Sequence, residues 1–236
     1  MSERIVFGFL ASQDKVESLI GSSLDAAQLL RRCPEQVEEL DGFLEEDHHD
    51  VDTVTLVQEI LSGELQEEEA RAYLYGRTLE TLLTATGESL GSIDVVETYD
   101  FPDNHQGCWN PNLQRIGLSK FAQFWASNNF SFPWVPPGPG VVRRIAWPDL
   151  TIIGPEDLAE LKEEFRDCRW RDKLRSLAAE HLSEDEDYAD SAREEFAVGL
   201  VTVSQWIDRC LESTTTKKEA TSPNGNSLVL IMDGSQ

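Results

Sequence analysis

The amino-acid sequence predicts a single α+β domain over residues 1–236, mostly helical, with a small sheet that includes the N- and C-terminal strands. Two short aliphatic runs bounded by turn residues, 5–10 and 227–232, lie at opposite ends of the chain. A third run, 150–153, comes directly before a Gly-Pro pair. Because buried backbone groups need hydrogen-bonding partners, we expect the two terminal strands to be neighbours in one sheet.

Apolar residues after the first strand recur at helical spacing, through a part of the chain that covers about residues 12–90. The pattern is strongest in Tyr75, Leu79, Leu82 and Leu83, which stand at positions i, i+4, i+7 and i+8. Gly87 and Gly91 are suitable residues for ending that helix. The helices expected in this part cover residues 14–20, 24–32, 35–46, 51–61 and about 69–86.

A second part, about residues 93–148, is rich in aromatic residues and proline and is expected to be largely irregular. Residues 100–111 and 132–140 show neither helical nor strand patterns. Val95 and Val96 fit the beginning of a short strand or a loop, and one helix is expected at 118–128.

The third part, about residues 150–234, is expected to contain helices and the closing strand. Pro155 is a favoured first residue for a helix that follows the strand at 150–153. Helices are expected at 156–165, 169–181 and 191–212. The last of them presents one apolar stripe to the core, formed by Phe196, Leu200, Val203, Trp206, Ile207 and Cys210.

Charge is the least ordinary property of the sequence. There are 44 acidic residues against 20 basic ones, which gives a net charge of −24. Binding to nucleic acid or to an anionic membrane needs clustered Lys and Arg, so both are unlikely partners. A basic protein is the partner that this charge favours, and the alternative is that the charge serves solubility alone.

The acidic residues concentrate in one region. Residues 33–70 contain 14 acidic residues and no Lys or Arg. Since these acids alternate with apolar residues at helical period, they predict a folded surface of one sign rather than a disordered tail. The candidate partner-binding carboxylates are Glu38, Glu39, Asp41, Glu45, Glu46, Glu67 and Glu68.

The aromatic part supplies a second set of candidates. Trp109 and Trp134, together with Arg143 and Arg144, could line a groove, because Trp and Arg are frequent anchors of binding hot spots. The alternative is that these aromatics fill the core and that the arginines pair with acidic helices.

Motifs for cofactors and nucleophilic catalysis are missing from the sequence. There is no Gly-x-Ser-x-Gly, and the glycines at 138 and 140 lack the Lys-Ser/Thr of a phosphate loop. His105 and Cys108 have a spacing that can bind zinc, but no second pair follows, so a polar loop is the better interpretation. We therefore expect no cofactor and no metal, and we expect no enzyme activity.

The cysteines and the N-terminus predict a cytoplasmic protein. The four cysteines are scattered and form no Cys-x-x-Cys pair. The N-terminus lacks the basic segment and apolar core of a signal peptide, and no apolar run is long enough to span a membrane. We expect reduced thiols in a cytoplasmic setting.

Several stretches resemble a known group of proteins. Residues 196–234, a striped helix followed by a polar loop and a last apolar strand, resemble the C-terminal end of the YfbM-like group of bacterial proteins. Residues 16–22, 75–83 and 134–161 are similar to a related set of bacterial domains of unknown function. The resemblance implies a compact α+β domain whose terminal strands share one sheet, and it implies no catalytic residues.

Together these observations favour a non-enzymatic, acidic protein-binding protein of a bacterial cytoplasm. Its partner would be basic, and an immunity or defence-associated role fits because carboxylates can take the place of phosphates in a basic cleft. Two alternatives remain open. One is a small-molecule sensor or enzyme that uses residues 101–147, and the other is a structural subunit of an oligomer.

Overall fold

A single antiparallel sheet organises the chain. Within the residues that the computed structural model describes (3–11, 13–66, 69–96, 109–125, 149–178, 181, 186–216 and 226–234), the strands pair in the order β2-β1-β4-β3. The strands are β1 (Glu3–Ala11), β2 (Glu88–Val96), β3 (Asp149–Ile153) and β4 (Ser227–Gly234). The expected α+β class, with a small sheet that includes both terminal strands, is confirmed.

The two terminal strands lie side by side at the centre of the sheet. β1 pairs with β4 from Arg4 opposite Gly234 to Ala11 opposite Ser227. The other edge of β4 pairs with β3, where Leu150 lies opposite Ile231. The expectation that the chain ends are neighbours is therefore confirmed, and so is the strand predicted at 150–153.

Side chains alternate between the two faces of the sheet, and each face has its own core. Val6 and Leu10 of β1 belong to one hydrophobic cluster, whereas Phe9 and Ala11 belong to the other. In β4 the same alternation places Leu228 and Leu230 on the first face and Val229 and Ile231 on the second. Both faces are covered by helices, which is why β4 is aliphatic on both faces from Leu228 to Ile231.

The face that carries Phe9 is covered by the N-terminal helices. They are α1 (Gln13–Glu17), α2 (Ala26–Leu30), α3 (Pro34–Glu46), α4 (Thr53–Ser62) and α5 (Glu69–Thr86). Each of the five predicted helices is present, although α1 and α2 are shorter than expected. The stripe predicted for α5 is confirmed, since Tyr75, Leu79, Leu82 and Leu83 are at most 1% exposed.

The face that carries Val6 is covered by the remaining helices. They are α6 (Trp109–Ile116), α7 (Ser119–Trp125), α8 (Pro155–Asp167), α9 (Trp170–Arg175) and α10 (Ala189–Thr216), with a 3₁₀ turn at Glu186–Tyr188. All six residues of the stripe predicted for α10 are buried. The ends differ most in α9, which stops at Arg175 rather than at residue 181.

Three sequence-based expectations are wrong. Val95 and Val96 were expected to begin a short strand or a loop, but they are the last two residues of β2. Residues 109–111 were expected to be irregular but begin α6, because Pro111 lies in the first helical turn, where its missing N–H is not needed. Gly91 was expected to end α5 but lies inside β2, which starts at Glu88. The ladder between β1 and β2 shifts register near Gly8, and Gly91 has a φ of 100°, so a bulge interrupts the alternation that identifies a strand.

Two tryptophans, Trp206 of α10 and Trp109 of α6, pack closely where these helices meet each other and the sheet. A Cβ at Gly8 would lie 2.7 Å from the Trp206 ring, so only glycine allows the ring to approach β1 so closely. The Trp206 indole N–H donates to the carbonyl of Leu90 at 2.8 Å. In the same core, Trp109 packs against Gly199 of α10.

Candidate functional site

The negative charge is concentrated on the helical layer formed by α1 to α5. Residues 13–86 contain 18 acidic and five basic residues, a net charge of −13 in less than a third of the chain. Within this layer the predicted carboxylates of α3 lie on its solvent-facing side, opposite the buried Leu40 and Leu44. Glu38, Glu39, Glu45 and Glu46 are exposed, and Asp41 is half-buried.

An open groove of about 750 Å³ lies between α2, α3 and the first turn of α4. One wall is a single stripe of α3, in which Glu38, Asp41, Gly42 and Glu45 stand at positions i, i+3, i+4 and i+7. A Cβ at Gly42 would meet no atom within 4 Å, so the wall has open space at that point. Three of the seven predicted carboxylates are therefore brought together along one groove.

The rest of the groove is mainly apolar. Ala27 and Leu30 of α2, Val37 of α3 and Val54 of α4 line it. Val54 is 37% exposed, which is unusual among the large aliphatic residues of this chain. Among the groove-lining residues that the structure describes, Arg31 is the one cation, and it stands at the C-cap of α2, whereas the acidic stripe belongs to α3.

Asp41 has a structural bond that distinguishes it from its acidic neighbours. Its Oδ1 accepts a hydrogen bond from the backbone N–H of Thr53 at 2.8 Å, at the start of α4. Asp52 caps the same helix, and its Oδ1 accepts from the Thr55 N–H at 2.7 Å. The side-chain and backbone hydrogen bonds from Thr55 lower the pKa of Asp52. Asp41 thus positions α4 against α3.

The other acids of α3 contrast with those of the opposite helical layer. There, several acidic residues have basic partners: for example, Lys120 pairs with Asp157 at 3.1 Å and Lys162 pairs with Asp208 at 2.7 Å. In the part of the chain that the structure describes, no ion pair involves Glu38, Glu39, Glu45 or Glu46. The acidic surface of α3 therefore has carboxylates that have no cationic partner among the described residues.

Two further predicted carboxylates are described by the structure and lie away from this groove. Glu39 and Glu46 are exposed on α3 but do not line it. The others, Glu67, Glu68, Trp134, Arg143 and Arg144, lie outside the described residues.

Trp109 lies in the core. Its ring stacks on Trp125 with centroids 4.5 Å apart and meets the edge of Phe196 at 4.7 Å, and the residue is 3% exposed. This is the arrangement in which the aromatic residues fill the core. Trp109 therefore offers a partner almost no accessible surface.

The structure offers no metal site or activated nucleophile among the residues that it describes. No group of three or more His, Cys, Asp or Glu in those ranges could hold a metal ion, and the weak candidates His105 and Cys108 lie outside them. Burial raises the pKa of the Cys33 and Cys168 thiols, and it raises that of Cys210 to about 12. These three cysteines form no disulfide and are protonated at neutral pH.

Sequence reasoning missed the apolar side of the groove. Val54 lies in the helix expected at 51–61, where Val57, Ile60 and Leu61 are fully buried but Val54 is exposed. A signal for the difference was present, because the buried stripe of α4 follows positions 53, 56, 57, 60 and 61, and Val54 falls off that stripe. The contribution of α2 depends on tertiary packing, and no local pattern indicates it.

Comparisons with known proteins give a family match. A family model described as a domain of unknown function, DUF7691, matches residues 1–219, which end before β4 begins. This match supports the expected resemblance to a domain of unknown function, and it does not confirm the YfbM-like assignment. No curated protein and no solved structure matches the chain. Among the described helices, none is long and apolar enough to cross a membrane.

Proposed function

The chain belongs to the DUF7691 family, and from that premise we propose that it is a non-enzymatic protein-binding protein whose acidic α3 surface engages a basic protein partner. The observation that carries this proposal is the set of exposed carboxylates, Glu38, Glu39, Glu45 and Glu46, that have no ion pair within the described ranges. A basic partner supplies the charges that these carboxylates lack.

The sign of the charge selects the class of partner. Repulsion keeps phosphate backbones and anionic lipid surfaces away from a chain with a net charge of −24. A protein surface rich in Lys and Arg is attracted, and long-range attraction raises its association rate. One such surface is the cleft of a nucleic-acid-binding protein, where carboxylates can occupy phosphate positions. An immunity or defence-associated role in a bacterial cytoplasm follows from that choice of partner.

Affinity capture with matched charge variants tests the proposal. The test variant carries Glu→Gln at positions 38, 39, 45 and 46. The control variant removes four exposed charges from the opposite helical layer, through Glu156→Gln, Glu163→Gln, Asp172→Asn and Glu194→Gln. Both variants have the same net charge, so a difference between them reports on position.

We expect the wild type and the control to capture the same basic proteins at low salt. Four exposed ion pairs of ordinary strength correspond to roughly 30-fold in affinity, so the α3 variant should lose most of this capture. The proposal would be overturned if wild type, the α3 variant and the control variant captured equal amounts of protein. It would also be overturned if the captured proteins had no basic surface.

A further inference from the structure

The groove beside α3 has one acidic wall and an apolar remainder, and this combination specifies more than a basic partner. Glu38 and Glu45 stand along one wall, while the exposed Val54 and the half-buried Val37 supply apolar surface beside them. A partner that carried only basic residues would leave the apolar surface in contact with water. A partner with an apolar row next to a basic row satisfies both parts.

We infer that this groove binds one short amphipathic helix of the partner protein, whose aliphatic row packs on Val37 and Val54 and whose Lys or Arg residues face Glu38 and Glu45. The inference rests on the proposed function and adds the form of the partner to it. Helix-in-groove binding uses apolar anchors at i, i+3 or i+4, and i+7.

The length of the acidic wall sets the length of the bound helix. The α3 residues that line the groove, the acidic wall included, run from Pro34 to Glu45, which at 1.5 Å per residue is about 17 Å, or roughly three helical turns. Glu38 and Glu45 are seven residues apart on α3, so they repeat after two turns. Basic residues spaced two turns apart on the bound helix match them.

The position of Arg31 fixes which side of the bound helix is basic. Arg31 lines the groove from α2, while the three carboxylates Glu38, Asp41 and Glu45 line it from α3. A helix with Lys and Arg on every side would place like charge against Arg31. The bound helix therefore carries its basic row on the side facing α3 and neutral or acidic residues on the side facing α2.

Substitution of Gly42 by a residue with a larger side chain can fill the groove. Because a Cβ at this position meets no atom within 4 Å, a larger side chain is accommodated without a clash. In the Gly42→Arg variant, the introduced guanidinium lies one turn from both Glu38 and Glu45 and pairs with them. It thereby takes the place that a basic residue of the partner would occupy. Gln28→Arg on α2 adds the same charge at an exposed position that does not line the groove.

The test is a selection from a library of random 12-residue peptides displayed on phage, panned against the full chain at low salt. We expect the enriched peptides to share apolar residues at i, i+3 or i+4, and i+7, with Lys or Arg on one adjoining side. A synthetic version should bind wild type and Gln28→Arg within threefold of each other. The same peptide should bind Gly42→Arg at least tenfold more weakly than it binds wild type. A second peptide, in which Ser replaces each residue of the apolar row, should bind wild type at least tenfold more weakly than the first peptide does.

The outcomes separate this inference from the proposed function. Enriched peptides that are basic but have no apolar spacing, or that bind Gly42→Arg as tightly as wild type, overturn the amphipathic helix and leave the basic partner standing. A selection in which no basic peptide is enriched overturns both. Circular dichroism of each variant at the start confirms that a loss of binding is not a loss of folding.

Discussion

The Asp41 carboxylate on α3 accepts a hydrogen bond from the backbone N–H of Thr53, the first residue of α4, at 2.8 Å. This bond makes one member of the acidic stripe a structural residue. Glu38 and Glu45, about one turn to either side of it, have no such bond among the described contacts. The stripe therefore combines a residue that holds the groove in shape with two that are available to a partner.

Asp41→Ala should destabilise the protein, whereas Glu38→Ala and Glu45→Ala should not. Loss of the bond leaves the Thr53 N–H unsatisfied at a buried helix start, which costs about 1–2 kcal/mol. Surface substitutions without such a bond change stability by about 0.5 kcal/mol or less. Urea denaturation of the three variants measures this, and three equal values would contradict the separation of roles.

Alanine in place of two helical glycines should have opposite effects. Gly42→Ala faces open space and should stabilise α3 by about 0.5–1 kcal/mol, because alanine loses less backbone entropy on folding. Gly199→Ala places a Cβ 2.5 Å from the Trp109 ring, and this overpacking should cost about 1–3 kcal/mol.

Thermal denaturation of the two glycine variants gives the comparison directly. The chemical change is the same and both residues lie within helices, so differences in helix propensity cancel. A raised Tm for Gly199→Ala would show that Trp109 does not pack against α10 as described.

The buried Tyr75 hydroxyl should make stability fall in alkaline solution. It donates to Glu59 Oε2 at 2.6 Å and accepts from the Gln66 N–H at 2.9 Å, and its burial is the main cause that raises its pKa from 10.0 to about 12. Its contribution is therefore fully present below about pH 10, where the unfolded tyrosine is also protonated. It is lost as the pH rises towards 12, because only the unfolded tyrosine ionises there.

Tyr75→Phe isolates this contribution from that of the buried thiols. At pH 8 the variant should be less stable than wild type by about 1 kcal/mol, since two hydrogen bonds are lost. At pH 11 the difference should shrink, because phenylalanine does not titrate. A difference that stays constant between these pH values, measured by chemical denaturation, would show that folding does not raise the Tyr75 pKa.

Removal of residues 220–236 should abolish cooperative folding. β4 lies between β1 and β3 in the sheet, although it follows the last residue matched by the family model. Without it β3 has no partner in the sheet order, and both cores lose the aliphatic residues of β4. Denaturation of a chain that ends at residue 219 checks this, with removal of residues 235–236 as the control. A cooperative transition in the shorter chain would contradict the placement of β4.

Those parts of the fold that depend on local pattern were predictable from sequence. The α5 and α10 stripes and the terminal strands each have a clear period or a clear boundary. β2 was missed because a bulge near Gly91 breaks its alternation, and α6 was missed because Pro111 resembles a loop signal when the helix start is unknown. The sequence could not show whether the Trp109 side chain is buried in the core or lines a groove, since tryptophan is a suitable residue for both positions.

The candidate site was predictable in charge but not in shape. The sequence indicates that α3 is acidic, and the structure separates Glu38, Asp41 and Glu45, which line the groove, from Glu39 and Glu46, which do not. That separation depends on where α2 and α4 pack. Their contribution, Arg31 and Val54 included, is set by contacts between elements far apart in sequence, such as the Gln58 side chain accepting from the Ala26 N–H.

The central claim, that α3 binds a basic protein through charge, is tested most directly by measuring the affinity of a captured partner against ionic strength. For wild type, we expect the affinity to fall steeply between 50 and 300 mM salt, as the Debye length shortens from about 14 to about 6 Å. The variant with Glu→Gln at positions 38, 39, 45 and 46 should bind weakly and with little dependence on salt. A wild-type affinity that does not change with salt, or a variant with an unchanged slope, would contradict the claim.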